Sequence, residues 1–241
     1  MIKFKYKVIA VMSGTSLDGI DIIYATYMFD NDWDFKIHHS ETIKYSKEWK
    51  TTLSKLVDRS MSELQDIDNM YSEYSANVVL DFINQYKIET IDLIASHGHT
   101  ALHRPENGLT YQIGNKQIIA DILNEKVICD FRIQDVEYGG QGAPLVPIGD
   151  RLLFESYDYC LNLGGFANIS FEQNLERSAY DICPVNIVLN FYVSKINLEY
   201  DNKGHLASKG KIDQKLLSDL NKLHFYNEKP PKSLGLEWVE E

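Results

Sequence analysis

The feature that most constrains the fold is a glycine- and hydroxyl-rich connection between two apolar segments near the start of the chain. Val8–Met12 has the length and composition of a buried strand, and Ile20–Tyr27 is β-branched and aromatic enough to be its antiparallel partner. The connection, Ser13–Gly19, contains two glycines, three hydroxyl side chains and a carboxylate, whereas a tight turn needs only a Gly or Asn pair. Such a segment predicts a phosphate-facing hairpin, with Asp18 or Asp21 available to hold a metal-bound water. An ordinary polar turn is the structural alternative.

Composition and charge exclude several classes of protein. A formal net charge of −11 over 241 residues argues against the basic face that non-specific nucleic-acid binding requires, although backbone amides can still bind a phosphorylated ligand. The three cysteines are odd in number and lack framework spacing, which predicts reduced thiols. The first apolar run is too short for a signal peptide and no segment has the length of a membrane span. We therefore expect a cytoplasmic protein that binds neither nucleic acid nor a membrane.

The order of the segments predicts an α/β fold. After the hairpin, Phe35–Ile43 is a predicted strand, and Lys47–Val57 and Ser62–Tyr86 are predicted helices. The second helix has apolar residues at steps of three or four, and its first residue is a candidate N-cap. Ile91–Ala95 is predicted to be a short strand that runs into a loop, and Val127–Asp130 a further buried strand. This order implies a mixed sheet with helices on its faces.

A glycine- and proline-rich break, Tyr138–Pro144, predicts a junction between a first lobe, residues 1–136, and a second lobe, residues 137–241. Beyond it the opening pattern returns, with a strand at Tyr159–Leu163, a turn at Gly164-Gly165, two more strands and a helix. The repetition predicts a duplicated fold whose second copy is incomplete, because no strand–helix–strand follows that helix. If the two lobes face one another, their glycine turns would hold a phosphate chain from both sides.

Several carboxylates could serve as a catalytic base. Phosphoryl transfer needs donors around the phosphates, a divalent cation and a base that orients the nucleophile. The candidate bases are Asp18, Asp130, Asp135 and Asp181. Asp181 ends a predicted strand, where open α/β sheets place their ligands, and its alternative role is to cap the helix that follows.

One arginine and three histidines are candidate ligand-binding residues. Arg132 follows a predicted strand and could clamp a carboxylate bidentately, or pair with Asp135 at the surface. His97, His99 and His103 lack the usual spacing and partners of a zinc site. Neutral hydrogen bonding towards a polar ligand is therefore favoured over a metal.

Seven short motifs are distributed over nearly the whole chain. They are Val11–Asp21, Ser96–Thr100, Gln112–Gly114, Asp130–Arg132, Gly139–Pro147, Asn162–Asn168 and Pro231–Ser233. In this order and combination they are highly specific, and the chain resembles the anhydro-N-acetylmuramic acid kinase family, a sugar-kinase branch of the actin/hexokinase/Hsp70 superfamily.

The resemblance implies a duplicated ribonuclease H-like (actin-like ATPase) fold with mixed five-stranded sheets flanked by helices. It also implies ATP- and Mg²⁺-dependent cleavage of a 1,6-anhydro bond coupled to phosphorylation, which yields N-acetylmuramic acid 6-phosphate in cell-wall recycling. By resemblance, Asp181 would take a proton from water as that water attacks the anomeric carbon, while the freed 6-oxygen attacks the γ-phosphate. Arg132 would contact the lactyl carboxylate of the sugar, and His97, His99 and Gln112 its hydroxyl or amide groups.

The resemblance further implies where ATP binds. Mg²⁺ would be held through ATP and water, with Asp18 or Asp21 as candidate contacts. The residues implied to bind ATP are Gly14, Thr15, Ser16, Leu17, Asp18, Gly19, Ile20 and Asp21 in the first turn, and Asn162, Gly164 and Gly165 in the second.

Two departures from the family pattern qualify these expectations. Ile182-Cys183 follows Asp181 where the family usually has Thr-Gly, and the family's longer C-terminal part, with a glycine-rich adenosine site, has no counterpart. We therefore expect weak ATP binding and little turnover from these 241 residues. One alternative is a non-catalytic relic that binds a nucleotide or muropeptide. Another is a polyphosphate-hydrolysing relative, against which Ser96–Thr100 and Gly139–Pro147 argue. A homodimer is a candidate assembly that the sequence does not decide.

Overall fold

A computed structural model describes residues 4–14, 16–235 and 238–239, and the chain divides into two compact units, Met1–Val146 and Pro147–Glu241. The predicted α/β class, with a mixed sheet flanked by helices, is confirmed. The duplicated actin-like arrangement and the predicted lobe boundaries stay predictions. None of the helices within the described ranges is long and apolar enough to cross a membrane.

The first unit contains six strands and four helices among its described residues. The strands are β1 (Phe4–Ser13), β2 (Gly19–Asp30), β3 (Asp32–Lys44), β4 (Leu93–Arg104), β5 (Leu109–Ile113) and β6 (Val127–Ile128). The helices are α1 (Lys47–Leu53), α2 (Met61–Tyr86), α3 (Ile118–Leu123) and α4 (Ile133–Glu137).

The sheet of the first unit has the order β3-β2-β1-β4-β5, and β6 pairs with β4. The three opening strands form an antiparallel meander, and β4 runs parallel to β1 on its other edge. The sheet has six strands rather than the predicted five, because the short segment Leu109–Ile113 pairs with the second half of β4. Residues 96–100, predicted to be a loop, are strand because they pair with the end of β1 and with β5. The predicted buried strand Val127–Asp130 is shorter, since only Val127–Ile128 pairs and Ile128 is exposed.

The core of the first unit lies between its sheet and α2. The predicted apolar stripe of α2 is buried except for the partly exposed Tyr74, and its members Leu64, Tyr71 and Phe82 are almost fully enclosed. The helix begins one residue before the predicted Ser62, because Ser60 and Glu63 form a capping box that satisfies donors at the helix start. The core also includes Val11 and Ile20, so the connection between β1 and β2 is anchored at both ends by buried side chains.

The second unit is built on a three-stranded antiparallel sheet. Its strands are β7 (Tyr159–Leu163), β8 (Phe166–Gln173) and β9 (Glu176–Pro184), in the order β7-β8-β9. Its helices are α5 (Leu145–Leu153), which begins two residues before the unit boundary, α6 (Asn186–Ser194) and α7 (Gln214–Leu220). The interruption that was predicted to extend to Pro147 is therefore shorter, since residues 145–147 are helical. Pro147 lies in the first turn of α5, where its missing N–H costs no hydrogen bond.

Candidate active site

The connection between β1 and β2 forms a turn whose donors converge on Asp18. Leu17 N–H donates to the Gly14 carbonyl over 3.3 Å. The Ser16 hydroxyl and the Gly19 N–H both donate to Asp18 Oδ1, over 2.6 and 3.1 Å. These hydrogen-bond donors surround a carboxylate oxygen, and a phosphate oxygen would accept bonds from the same kinds of group. Thr15, also predicted to bind phosphate, lies outside the described residues.

Other predicted members of this hairpin have packing roles. A Cβ on Gly19 would lie 2.4 Å from the Ile43 carbonyl oxygen, so glycine is required there by the close approach of β3. Ile20 is fully buried in the core, and Asp21 accepts a bond from the Thr42 hydroxyl over 2.5 Å. The sequence could not separate these roles from phosphate binding.

A chain of buried hydrogen bonds fixes the end of β1. Tyr71 and Tyr45 are linked through their hydroxyls over 2.5 Å, Tyr45 is linked to Ser13 Oγ over 2.5 Å, and Ser13 is linked to His99 Nδ1 over 2.7 Å. If His99 Nδ1 is the final acceptor, each hydroxyl donates to the next one in this order. His99 is 2% exposed, and burial lowers its pKa from 6.5 to about 4, which keeps the ring neutral. His99 therefore positions the start of the hairpin.

His97 and Arg132 lie together next to this chain. His97 Nδ1 donates to the Gly98 carbonyl over 3.0 Å, so its Nε2 accepts from Arg132 Nε over 2.8 Å. Burial, and then the guanidinium charge, lower the pKa of His97. Arg132 Nη1 donates to the Gly142 carbonyl over 2.8 Å, and Asp135 accepts from the Gly142 N–H over 2.6 Å. Arg132 thus bonds His97 and the Gly142 loop rather than Asp135, and its Nη2 has no partner among the described residues.

Gln112 presents an unpaired acceptor beside this group. Its Nε2 donates to Thr110 over 2.8 Å, while its buried Oε1 has no partner among the described residues. Thr110 is also bonded to His103 over 3.2 Å, and a Cβ on Gly142 would meet the His103 ring at 3.0 Å. The predicted sugar-binding residues His97, Gln112 and Arg132 therefore belong to one contiguous polar region on β4, β5 and the Gly142 loop.

The sequence analysis missed Asp68, a buried carboxylate on α2 that holds the segment after β5. It accepts bonds from the Gly114 N–H and the Tyr111 hydroxyl, both over 2.7 Å, and pairs with Lys116 Nζ at 3.1 Å. The sequence does indicate this role, because position 68 lies on the apolar stripe of α2. A carboxylate that is buried there needs hydrogen-bond or ion-pair partners.

In the second unit, the turn between β7 and β8 is held by the start of α6. The Gly165 carbonyl accepts from the Val185 N–H over 2.8 Å, and the Gly164 carbonyl accepts from the Asn186 side chain over 2.9 Å. Because the peptide unit between Gly164 and Gly165 is planar and trans, the Gly165 N–H points away from the Asn186 side chain. Asn162 opposes Asn168 on β8. These are the residues predicted to bind ATP in this unit.

Asp181 lies on the same sheet row as Asn162, since Asn168 opposes both residues. Its Oδ2 accepts from the Leu234 N–H over 2.8 Å and the Ser233 hydroxyl over 3.2 Å, and among the described residues Oδ1 has no partner. It does not cap α6, whose start has no side-chain cap. The register between β8 and β9 shifts after Asp181, so Ile182, one of the two residues that differ from the family pattern, lies in a β-bulge. Bulges occur next to active sites, where they change the direction of a side chain.

Comparisons with known proteins identify the family of the chain. A family model described as "Anhydro-N-acetylmuramic acid kinase" matches residues 6–240. Similar curated proteins bear the same name. One from Clostridioides difficile (strain 630) is 34% identical over 95% of this chain, and one from Vibrio cholerae serotype O1 is 36% identical over 96%. Another, from Acinetobacter baylyi, is 33% identical over 97% of the chain.

The match does not extend over the whole of these relatives. The chain spans 65% of the length of the Clostridioides and Acinetobacter proteins and 66% of the Vibrio protein. Roughly a third of each relative therefore lies outside the match.

Proposed function

We propose, from the premise that this chain belongs to the anhydro-N-acetylmuramic acid kinase family, that it acts in the ATP-dependent opening and phosphorylation of 1,6-anhydro-N-acetylmuramic acid. The observation that carries the proposal is the hydrogen bond between Ser13 and His99. Ser13 is the last residue of β1, directly before the turn that is predicted to bind phosphate. His99 lies two residues after His97, which accepts a hydrogen bond from Arg132. The hydrogen bonds thus link the proposed nucleotide and sugar regions of the first unit, which supports the proposal because phosphoryl transfer needs the two reactants side by side.

Arg132 and Gln112 are the proposed sugar contacts. The unpaired Nη2 of Arg132 can bind the lactyl carboxylate, while the bonds of Nε and Nη1 keep the guanidinium in place. The unpaired Oε1 of Gln112 can accept from a hydroxyl or the acetamido N–H of the sugar. His97 and His99 are positioning residues, because His97 already uses both ring nitrogens and His99 Nδ1 is bonded to Ser13 at the end of β1.

The hairpin fits the phosphates of ATP by its donor set. The Ser16 hydroxyl and the Gly19 N–H, which donate to Asp18, are the groups that phosphate oxygens would engage. Asp18 or Asp21 would then contact Mg²⁺ through water. When bound, Mg²⁺ supplies positive charge that stabilises the transferred phosphoryl group.

Asp181 is the proposed general base. Its fixed Oδ2 orients the carboxylate, and its unpaired Oδ1 accepts a proton from water as the water oxygen bonds to the anomeric carbon. The bond between that carbon and the 6-oxygen breaks, the 6-oxygen bonds to the γ-phosphorus, and ADP leaves. The product is N-acetylmuramic acid 6-phosphate, and no separate acid is required because phosphorylation takes up the charge of the leaving oxygen.

Replacement of Asp181 by Asn tests this function. With ATP, Mg²⁺ and the anhydro-sugar, we expect the chain to form a sugar phosphate detectable by mass spectrometry. Asp181→Asn should lower its rate by about 10²–10⁴-fold. Calorimetry should show little change in sugar affinity, because the amide retains the shape of the carboxylate.

The matched control is Asp158→Asn, a change in the short connection before β7. It should leave the rate unchanged. If the parent chain binds sugar and nucleotide but forms no product, the relic alternative is supported instead. Equal product from Asp181→Asn and the parent chain would refute the role of Asp181.

A further inference from the structure

Cys160 lies in a cluster of polar side chains that the proposed function does not use. It is on β7, opposite Ser170 of β8, and the register places both residues on the face of the sheet that carries Asn162 and Asp181. The thiol is partly exposed, whereas the Ser170 side chain is buried. The sulfur is therefore accessible from solvent and has enclosed polar groups beside it.

A buried guanidinium faces this thiol. The Arg177 side chain is 9% exposed, and its Nη2 donates to Cys160 Sγ over 3.5 Å and to the Ser170 hydroxyl over 2.8 Å. Asp150 of α5 accepts a bond from Ser170, and its Oδ2 lies 3.7 Å from the same Nη2. Among the described residues, Asp150 makes no bond to the sulfur. The carboxylate therefore fixes the guanidinium, and the cation is the charged group that contacts the thiol.

One donor of Arg177 has no acceptor. Its Nε is enclosed and lacks a hydrogen-bond partner among the described residues. Nε–H and one N–H of Nη2 lie on the same edge of the planar guanidinium, and arginine uses such donor pairs to bind oxyanions. Leaving a buried donor unpaired costs free energy. The edge that contacts Cys160 thus favours an oxygen atom bound next to the sulfur.

Cys129 of the first unit has the opposite environment. Its Sγ donates to Asp130 Oδ2 over 3.9 Å, and burial, followed by the charge of that carboxylate, raises the pKa of the thiol. A thiol of this kind stays protonated at neutral pH and is a poor nucleophile. A cation beside a thiol has the reverse effect, because it stabilises the thiolate. Cys129 is therefore an internal reference for Cys160.

We propose that Cys160 is a site of oxidation by small hydroperoxides. With hydrogen peroxide, the thiolate sulfur attacks one oxygen, so that an S–O bond forms and the O–O bond breaks. The second oxygen leaves as hydroxide and takes up the proton that the thiol released to solvent, which gives water. Cys160 is oxidised by two electrons to the sulfenic acid. Arg177 stabilises the thiolate before the reaction, and its unpaired Nε–H donates to the oxygen added to sulfur.

Peroxide labelling of the 241-residue chain tests the inference. The chain is treated with hydrogen peroxide and a cyclic 1,3-dione, which reacts with sulfenic acids, and the labelled tryptic peptides are quantified by mass spectrometry. We expect Cys160 to be labelled about tenfold faster than Cys129 and Cys183, which are also partly exposed. Equal rates at the three cysteines would overturn the inference. The readout is independent of catalysis, so it separates this inference from the proposed function.

Removal of the cation tests the role of Arg177. Arg177→Gln should slow the labelling of Cys160 about tenfold, because the thiolate loses its charged partner. The matched control is Arg151→Gln, which removes the same charge from a half-exposed residue of α5 that pairs with Glu172. It should change the rate less than about twofold, since exposed charges are screened. If the single variant does not fold, Asp150→Asn combined with Arg177→Gln avoids an unpaired buried carboxylate. An unchanged rate at Cys160 in a folded chain without Arg177 would overturn the inference.

Discussion

The two units of this chain differ most in how they bury their opening strands. In the first unit, Ile9, Ile20, Ile22 and Leu64 are fully enclosed, and β1 is paired on both sides. Among the described residues of the second unit, the only buried apolar side chains are Ala167, Phe225 and Leu234, and none of the three is fully enclosed. Because apolar burial is the main favourable term in folding, the first unit has the content of an independent core.

The difference extends to the candidate functional residues. His99 and Ser13 are held by a buried chain of hydrogen bonds that is anchored on α2, so their positions are set by the core. Asp181 is held by Ser233 and Leu234, which belong to a loop. Side chains placed by a packed core are more precisely oriented than those placed by a loop.

The largest expected effect is on the core itself. Ile9→Ala should lower the free energy of unfolding of the first unit by about 2–5 kcal/mol, because it removes enclosed methyl groups and leaves a cavity. Leu161→Ala in β7 should cost less than about 0.5 kcal/mol, because that side chain is mostly in water. Urea unfolding followed by tryptophan fluorescence would measure both. Equal losses in the free energy of unfolding would show that the two units do not differ in how they bury these strands.

The next effect is a dependence of stability on pH. The pKa of folded His99 is about 4, below its ordinary 6.5, so the unfolded chain binds a proton that the folded chain excludes. The stability of the first unit should therefore be maintained above pH 6.5 and fall by about 3 kcal/mol as the pH decreases towards 4. Trp49, which packs against Tyr71, reports this unfolding.

His99→Gln is the control, because it has no ring to titrate. The difference in stability between this variant and the parent chain should narrow as the pH falls from 6.5 to 4. A constant difference across this range would show that His99 is not held neutral by its surroundings.

A smaller effect distinguishes the two glycine turns. Gly19→Ala should cost about 1–3 kcal/mol, because the new Cβ would lie 2.4 Å from the Ile43 carbonyl oxygen. Gly164→Ala should be nearly neutral, since the nearest atom to its Cβ would be 3.5 Å away. Thermal unfolding of both variants compares them. A larger loss from Gly164→Ala would show that the second turn is the tighter one.

The smallest expected effect concerns one hydroxyl. Tyr71→Phe should lower the stability of the first unit by about 1 kcal/mol, because it removes the bond to Tyr45 without leaving a buried donor unpaired. Tyr226→Phe in the second unit should have no measurable effect, since its hydroxyl has no hydrogen bond among the described residues. Denaturant midpoints at constant slope would check both. Equal shifts would show that the buried chain adds nothing to stability.

The local spacing of apolar residues was sufficient to predict the helices and strands in which that spacing is regular. The meander of the first unit, the long helix α2 and the strand Tyr159–Leu163 were predicted from apolar spacing and turn residues, and the structure contains them. β5 was missed because five residues carry too little periodicity, and residues 96–100 became strand through pairing with β1 and β5. The lengths of short strands depend on partners distant in the sequence, which spacing cannot reveal.

For the candidate site, the sequence by itself determined which residue types are present and in what order: a glycine- and hydroxyl-rich hairpin, a histidine pair, an arginine and a carboxylate on a strand. Only the tertiary structure decided which atoms remain available, because hydrogen-bond partners come from remote segments. Those partners leave Nη2 of Arg132 and Oδ1 of Asp181 unpaired, while both ring nitrogens of His97 are occupied. The same reason explains Asp68, whose buried partners lie more than forty residues away along the chain.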